Sequence, residues 1–222
     1  MKNTRNVFGR ATLVVAGLFL LSGCGGDDAG FEPDFVVVIP KDTDAGAASR
    51  PQVTFTISNG AAVAGTMVIT LTPEYAPKTV ANFLSYVNSG FYNGTIIHRH
   101  DAGFVLQGGT FASPVSATDA PTPKPPSAPV ELEVKVSNVL GTVAMARGNA
   151  LNSATSGFFI NLANNSGLDT SAGGYAGFGY ITDLTLVNAM KGAPCVASAV
   201  TPSSLGCLPV PNLVITSAVQ TR

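Results

Sequence analysis

Polar and apolar residues alternate along Val53-Thr54-Phe55-Thr56-Ile57, the period-two pattern of a half-buried strand. Asn59-Gly60 is a turn signal and residues 65–71 supply a second run of strand formers, so the pattern predicts a β-hairpin. The period then changes. Pro77 stands at a first helical position, Val80, Phe83, Leu84 and Val87 recur at helix-face spacing, and Gly90 sits just past the end. This predicts an amphipathic helix over 76–89, whose apolar face would cover the open end of a barrel built from strands on either side. Strand character returns in residues 141–147, residues 153–161 follow, and a last strand spans 213–219. A short helix is expected over 183–190, with Asp183 as its cap and Gly192 beyond its end. Residues 113–130 carry six prolines and read as a long, stiff surface loop.

The stretch from Gly94 to Gly109 departs from plain strand pattern. It gathers Arg99 and both histidines of the chain, His98 and His100, between one apolar run and another that ends in paired glycines. Read as strand, turn, strand, it can project Arg99, Phe104 and Gln107 from one sheet face. A cation, an aromatic wall and an amide on one face make a site rather than a core.

Composition narrows the function classes. Charged residues are 11% of the chain and the formal net charge is −1, so there is no basic surface for a nucleic-acid backbone. Lys2, Arg5 and Arg10 precede an apolar run over 11–21 that is too short to span a bilayer comfortably, which reads as an export signal. Leu21-Ser22-Gly23-Cys24 resembles a bacterial lipobox, with Cys24 becoming a lipid-modified N-terminus. Residues 1–23 are therefore read as a lipoprotein signal peptide, 24–50 as the lipidated cysteine and a flexible tether, and 51–222 as the folded domain. Within the tether the apolar run over 35–39 would either add an edge strand or lie near the membrane. By resemblance to the lipoprotein sorting rule, Gly25 after the cysteine favours an outer-membrane anchor facing the periplasm over retention in the inner membrane. An oxidising envelope would let Cys195 and Cys207 close as a disulfide; two buried thiols are the alternative. Neither cysteine has a histidine or acid close by in sequence, so no metal site is expected there.

Ile97-His98-Arg99 followed by Gly103-Phe104-Val105-Leu106-Gln107-Gly108-Gly109 resembles the signature of cyclophilin-type peptidyl-prolyl cis/trans isomerases. Residues 141–147, 153–161, Leu168-Asp169 and 175–181 continue the likeness in the same order, over roughly residues 52–189. The resemblance implies a mainly β fold, a closed eight-stranded antiparallel barrel capped by two helices. It further implies isomerisation of X-Pro bonds without a cofactor, acting on proline-containing polypeptides as a monomer. On the matching positions it makes Arg99 the catalytic residue and Phe104, Val105, Phe159 and Leu168 the proline socket. Gln107 would hold the arginine and substrate, Ala146 and Arg147 would pair with the peptide backbone, and His98 and Tyr175 would sit on the rim.

Two positions depart from the family pattern. Gly157 stands where a glutamine is usual, and Gly167 where a tryptophan or phenylalanine precedes the Leu-Asp pair. These changes imply a wider pocket, reduced activity and poor cyclosporin binding, with a proline-peptide-binding module or chaperone as the alternative to an enzyme. A metal hydrolase built on His98-x-His100 is disfavoured, because a third protein ligand is missing from any ligand pattern. No Gly-x-Ser-x-Gly elbow or phosphate loop is present.

Overall fold

The alternation of β1 (Gln52–Ser58) buries Val53, Phe55 and Ile57 and leaves the residues between them half-exposed. β1 pairs with β2 (Ala64–Leu71), so the expected hairpin forms, with Phe55 opposite Met67. The structure is a computed structural model that describes residues 38–118, 121, 123–198 and 206–222. The export signal, Cys24 and the tether as far as residue 37 lie outside the described residues.

Beyond the hairpin come α1 (Pro77–Asn88), β3 (Thr95–Asp101), β4 (Val105–Ala112), β5 (Thr142–Met145), β6 (Phe158–Asn161) and β7 (Gly177–Tyr180). Next are α2 (Thr185–Lys191), β8 (Cys195–Val196), β9 (Leu208–Pro209) and β10 (Leu213–Gln220). Eight strands close into a barrel in the order β1-β10-β3-β4-β6-β5-β7-β2, every pair antiparallel. Closure leaves none of these eight strands as a free edge. β8 and β9 form a separate two-stranded ribbon that the sequence pattern did not predict.

Aromatic rings cluster within a largely aliphatic barrel core. Phe83 on α1 lies 6.0 Å from Phe55, 6.1 Å from Phe158 and 4.7 Å from Phe178 between ring centroids. Tyr92 packs on Phe55, Phe83 and Phe158 and satisfies its hydroxyl by donating to the Ser156 carbonyl at 2.9 Å. From α2, Leu186, Val187 and Met190 join this core. Asp183 accepts the Thr185 N–H and hydroxyl just ahead of α2, which starts two residues later than expected.

The stretch read as a flexible tether and the proline-rich surface loop are both tied to the barrel in the structure. Residues 38–50, expected to be tether, lie against the barrel. Val38 bridges to Val136, and Asp42 accepts from the Tyr180 hydroxyl at 2.6 Å and from Thr182 at 2.9 Å. Arg50 is 3% exposed and donates to Glu74, Asp44, Tyr180 and the Lys41 carbonyl. A buried guanidinium requires such partners, and they hold the segment in place. In the proline-rich loop Val115 packs with Ile96 and Leu208, the Lys124 N–H donates to the Thr110 carbonyl, and the Ser127 N–H donates to the Tyr86 hydroxyl.

Candidate active site

β3 and β4 carry the first half of the site. Their register steps from Ile97 opposite Gly108 to Arg99 opposite Gln107, leaving His98 as the extra residue of a bulge. The bulge changes which face β3 presents: Ile97 belongs to the barrel core, whereas Arg99 and Gln107 line a cavity outside it. The paired glycines let the chains approach this closely. A Cβ on Gly108 would meet the Ile96 carbonyl at 2.8 Å, and one on Gly109, whose φ is +82°, would meet the Phe158 ring at 2.9 Å.

The row continues across the sheet, since Gln107 lies opposite Phe159 on β6, and Phe159 opposite Ala144 on β5. Strand alternation therefore divides the two adjacent phenylalanines. Phe158 completes the aromatic core, while Phe159 joins Val105 and Ala144 in a separate apolar cluster flanked by Phe104, Ala146, Leu168 and Tyr175. Arg99, Phe104, Val105, Gln107, Ala146, Arg147, Phe159, Leu168 and Tyr175 surround one cavity of about 300 Å³. Its size and its mix of apolar wall and few polar groups suit one small ring and its flanking backbone.

Arg99 donates to Gln107 Oε1 at 3.3 Å, lies 5.6 Å from the centre of the Phe104 ring, and has the Asp101 carboxylate 3.8 Å away. Burial pulls its proton affinity below the ordinary arginine value, and Asp101 and Tyr175 oppose that shift. A guanidinium remains protonated in any case, so the site holds a fixed cation in apolar surroundings. Arg147 differs, because its guanidinium is committed to the carbonyls of Gly148, Ala172 and Gly174 and lies over the Tyr175 ring at 4.7 Å. It clamps the 172–175 segment, and the Ala146 N–H is taken by the Gly157 carbonyl.

His98, expected on the rim, is not among the cavity residues. The residue is 5% exposed and its ring meets Phe111 edge-on at 4.8 Å between centroids, because the bulge turns it toward that side. Burial, helped by the neighbouring Arg99, lowers its pKa from 6.5 to about 4. Between those values the unfolded chain holds a proton that the folded chain does not. The folded state therefore loses stability as pH falls from 6.5 toward about 4, by up to about 3 kcal/mol, and gains nothing from this group above pH 6.5. His98→Gln is expected to remove that share of the pH dependence, which urea denaturation of both proteins at pH 7 and pH 4.5 would measure.

The two cysteines, with no histidine close by in sequence, meet His100 in the fold. Cys195 and Cys207 are joined as a disulfide with Cα atoms 5.5 Å apart, and the donor atoms of His100, Cys195 and Cys207 all lie within 4.8 Å of one another.

A polar network behind the cavity was not singled out from the sequence. Asp169, 5% exposed, accepts from the Ser137 hydroxyl at 2.6 Å, the Asn138 N–H at 2.8 Å and the Asn138 amide at 2.9 Å. Asn161 donates to the Asn138 side-chain oxygen, and Asn165 donates to Asn161 and to the Phe104 carbonyl at 2.9 Å. Asn138 also reaches the Tyr175 carbonyl. The chain thus ties Phe104, Leu168 and Tyr175 to one buried carboxylate. The signal available beforehand was Ser137, Asn138, Asn161 and Asn165 standing in or beside apolar runs.

Comparison with known proteins agrees with this architecture. Residues 52–202 match the family described as cyclophilin type peptidyl-prolyl cis-trans isomerase/CLD, and the chain belongs to that family. It is 41% identical over 140 residues to peptidyl-prolyl cis-trans isomerase A of Dickeya dadantii (strain 3937), covering 62% of this chain and 69% of the relative. It is also 41% identical over 165 residues to peptidyl-prolyl cis-trans isomerase cyp18 of Streptomyces antibioticus, covering 70% and 92%. A crystal structure of a Cryptosporidium parvum cyclophilin type peptidyl-prolyl cis-trans isomerase superposes with a TM-score of 0.60 at 21% identity, over 78% of this chain and 98% of that one. The chain is accordingly a cyclophilin-type peptidyl-prolyl cis-trans isomerase, an enzyme that acts on proline-containing peptides.

Proposed function

We propose that this isomerase acts on X-Pro bonds of exported or envelope proteins and assists their folding, with Arg99 as its catalytic residue. The observation that carries the proposal is the row of Arg99, Gln107 and Phe159 facing one apolar cavity. Rotation about an amide meets a barrier of about 18–20 kcal/mol because the planar C–N bond has partial double-bond character. In the twisted state that character is lost, and the prolyl nitrogen gains a lone pair absent from the planar amide. A donor aimed at that nitrogen favours the twisted state over the ground state, which is what lowers the barrier. The Arg99 guanidinium supplies the donor, and Gln107 steadies it from the side. Phe104, Val105, Phe159 and Leu168 receive the proline ring, and exclusion of water there strengthens the hydrogen bond. Ala146 and Tyr175 border the peptide, while Arg147 acts by holding the 172–175 wall.

The signal at residues 1–23 and the lipobox cysteine support anchoring through Cys24 at the outer membrane, facing the periplasm as a monomer, by lipid alone and without nucleic acid. The full chain is expected to accelerate cis-to-trans exchange of an Ala-Pro peptide followed by NMR. Membrane fractionation is expected to release it only with detergent unless Cys24 is replaced by Ala.

The second reading, a weakened proline-binding module, is favoured by the two glycine positions. Nothing lies within 4 Å of where a Cβ of Gly167 would stand, beside cavity residue Leu168, so an aromatic wall is missing and has room to be restored. Gly167→Phe is expected to tighten peptide binding about fivefold, since covering some tens of Å² of apolar surface contributes about 1 kcal/mol. Titration calorimetry reads this. Gly157 is more confined, with Thr110 Oγ1 3.0 Å from a Cβ there, so a side chain at 157 requires Thr110 to yield. Peptide binding without any acceleration of exchange would select the module.

A further inference from the structure

His100 is buried in a place that gives its ring nothing to bond. It is 5% exposed, and neither ring nitrogen has a hydrogen-bond partner among the described residues. A buried imidazole left in this state costs about 1–3 kcal/mol for each unsatisfied group, and a disulfide beside it offers no compensating donor or strong acceptor. The backbone nevertheless goes to some length to create the neighbourhood. The His100 N–H donates to the Cys207 carbonyl at 2.8 Å, and the Cys207 N–H donates back to the His100 carbonyl at 2.9 Å. At Gly206, where φ is +122°, a Cβ would collide with the His100 carbonyl at 2.6 Å, so only glycine lets the strands meet here. Cys195 is held on the other side through the pairing of β8 with β9, opposite Pro209.

We propose that, once the disulfide is reduced, Cys195, Cys207 and His100 bind a single copper(I) ion. A metal held about 2.0–2.3 Å from sulfur and nitrogen donors brackets them within about 3.5–4.6 Å of each other; the three donors lie within 4.8 Å, and the two sulfurs, now bonded, need only move apart when the S–S bond opens. Backbone pairing on both sides keeps the two thiols together after the S–S bond opens. Two thiolates and an imidazole form a donor set dominated by soft sulfur, and the cluster contains no carboxylate among the described residues. Two soft thiolates with a borderline imidazole suit a monovalent thiophilic ion better than a hard divalent one. In the reductive step a dithiol reductant, a thioredoxin-class protein or dithiothreitol, gives two electrons and two protons to the S–S bond and itself becomes a disulfide. Cys195 and Cys207 then carry thiols, whose two protons leave when the ion binds.

The test uses the full chain, reduced with dithiothreitol and desalted under nitrogen, then titrated with copper(I) against a chromogenic copper(I) chelator. The reduced chain is expected to take one ion from the chelator and the oxidised chain none. His100→Ala should weaken binding at least tenfold, and Cys195→Ser/Cys207→Ser should abolish it, with circular dichroism and isomerase rate checking the fold of each. Binding by the reduced chain no tighter than that of the double serine variant would overturn the site, and His100→Ala binding equal to wild type would remove the histidine from it. Should a variant fail to fold, copper-edge X-ray absorption on the wild type decides instead. Mixed sulfur and nitrogen coordination supports the site, and sulfur-only coordination refutes it.

Discussion

Arg99→Ala is expected to slow catalysed cis-to-trans exchange of an Ala-Pro peptide by about a hundredfold, with a much smaller change in peptide affinity. Removing one preorganised donor from a water-poor site costs about 10²–10³ in rate, equivalent to about 3–4 kcal/mol of transition-state stabilisation. The ground-state amide nitrogen has no available lone pair, so the donor contributes little to binding and mostly to turnover. The proline socket of Phe104, Phe159 and Leu168 stays in place in the variant. Arg99→Lys is expected to fall between the two, because a single ammonium keeps the charge but loses the rigid fork that Gln107 holds. NMR exchange spectroscopy with the full chain reads the rates. A variant rate within threefold of wild type would take Arg99 out of the mechanism.

Asp169→Ala is expected to destabilise the fold by roughly 3–5 kcal/mol and to lower the isomerase rate of whatever fraction remains folded. The substitution strands the Ser137 hydroxyl and two Asn138 donors, both residues being buried, and each unsatisfied group costs about 1–3 kcal/mol. Neighbouring residues can relax to recover part of that, which keeps the total below the simple sum. The same network fixes the Phe104 carbonyl through Asn165 and the Tyr175 carbonyl through Asn138, so the socket loosens with it. Urea denaturation measures the first effect. The second appears as a rise in KM with peptide substrate at a urea-free temperature where the variant is folded. A loss below about 1 kcal/mol would mean that the carboxylate is replaceable by water.

Much of the architecture was legible from local pattern. The β1–β2 hairpin follows from alternation around Asn59-Gly60, and α1 from Pro77, the apolar spacing and Gly90. These features were readable because the signals act within a few residues of one another. The number and closure of the strands were not readable this way, since β5, β6 and β7 are only four residues long. The resemblance to the cyclophilins supplied that part, as it supplied the residue types around the cavity.

Other features were decided by tertiary structure alone. Simple alternation along β3 cannot see the bulge at His98, which arises from how β3 registers on β4 and which turns that histidine toward Phe111. The strap over residues 38–50 looks like linker by composition, and it is held because Arg50 meets Glu74 and Tyr180 far along the chain. Asp169 gains its role from Ser137 and Asn138, thirty or so positions earlier. His100 reaches Cys207 across 107 residues through a backbone bridge that no spacing rule encodes. By itself the sequence determined the first hairpin, the two helices and the chemical inventory, because periodicity, turns and caps are local. Which side chains meet was left to barrel closure and register, because those depend on every strand at once.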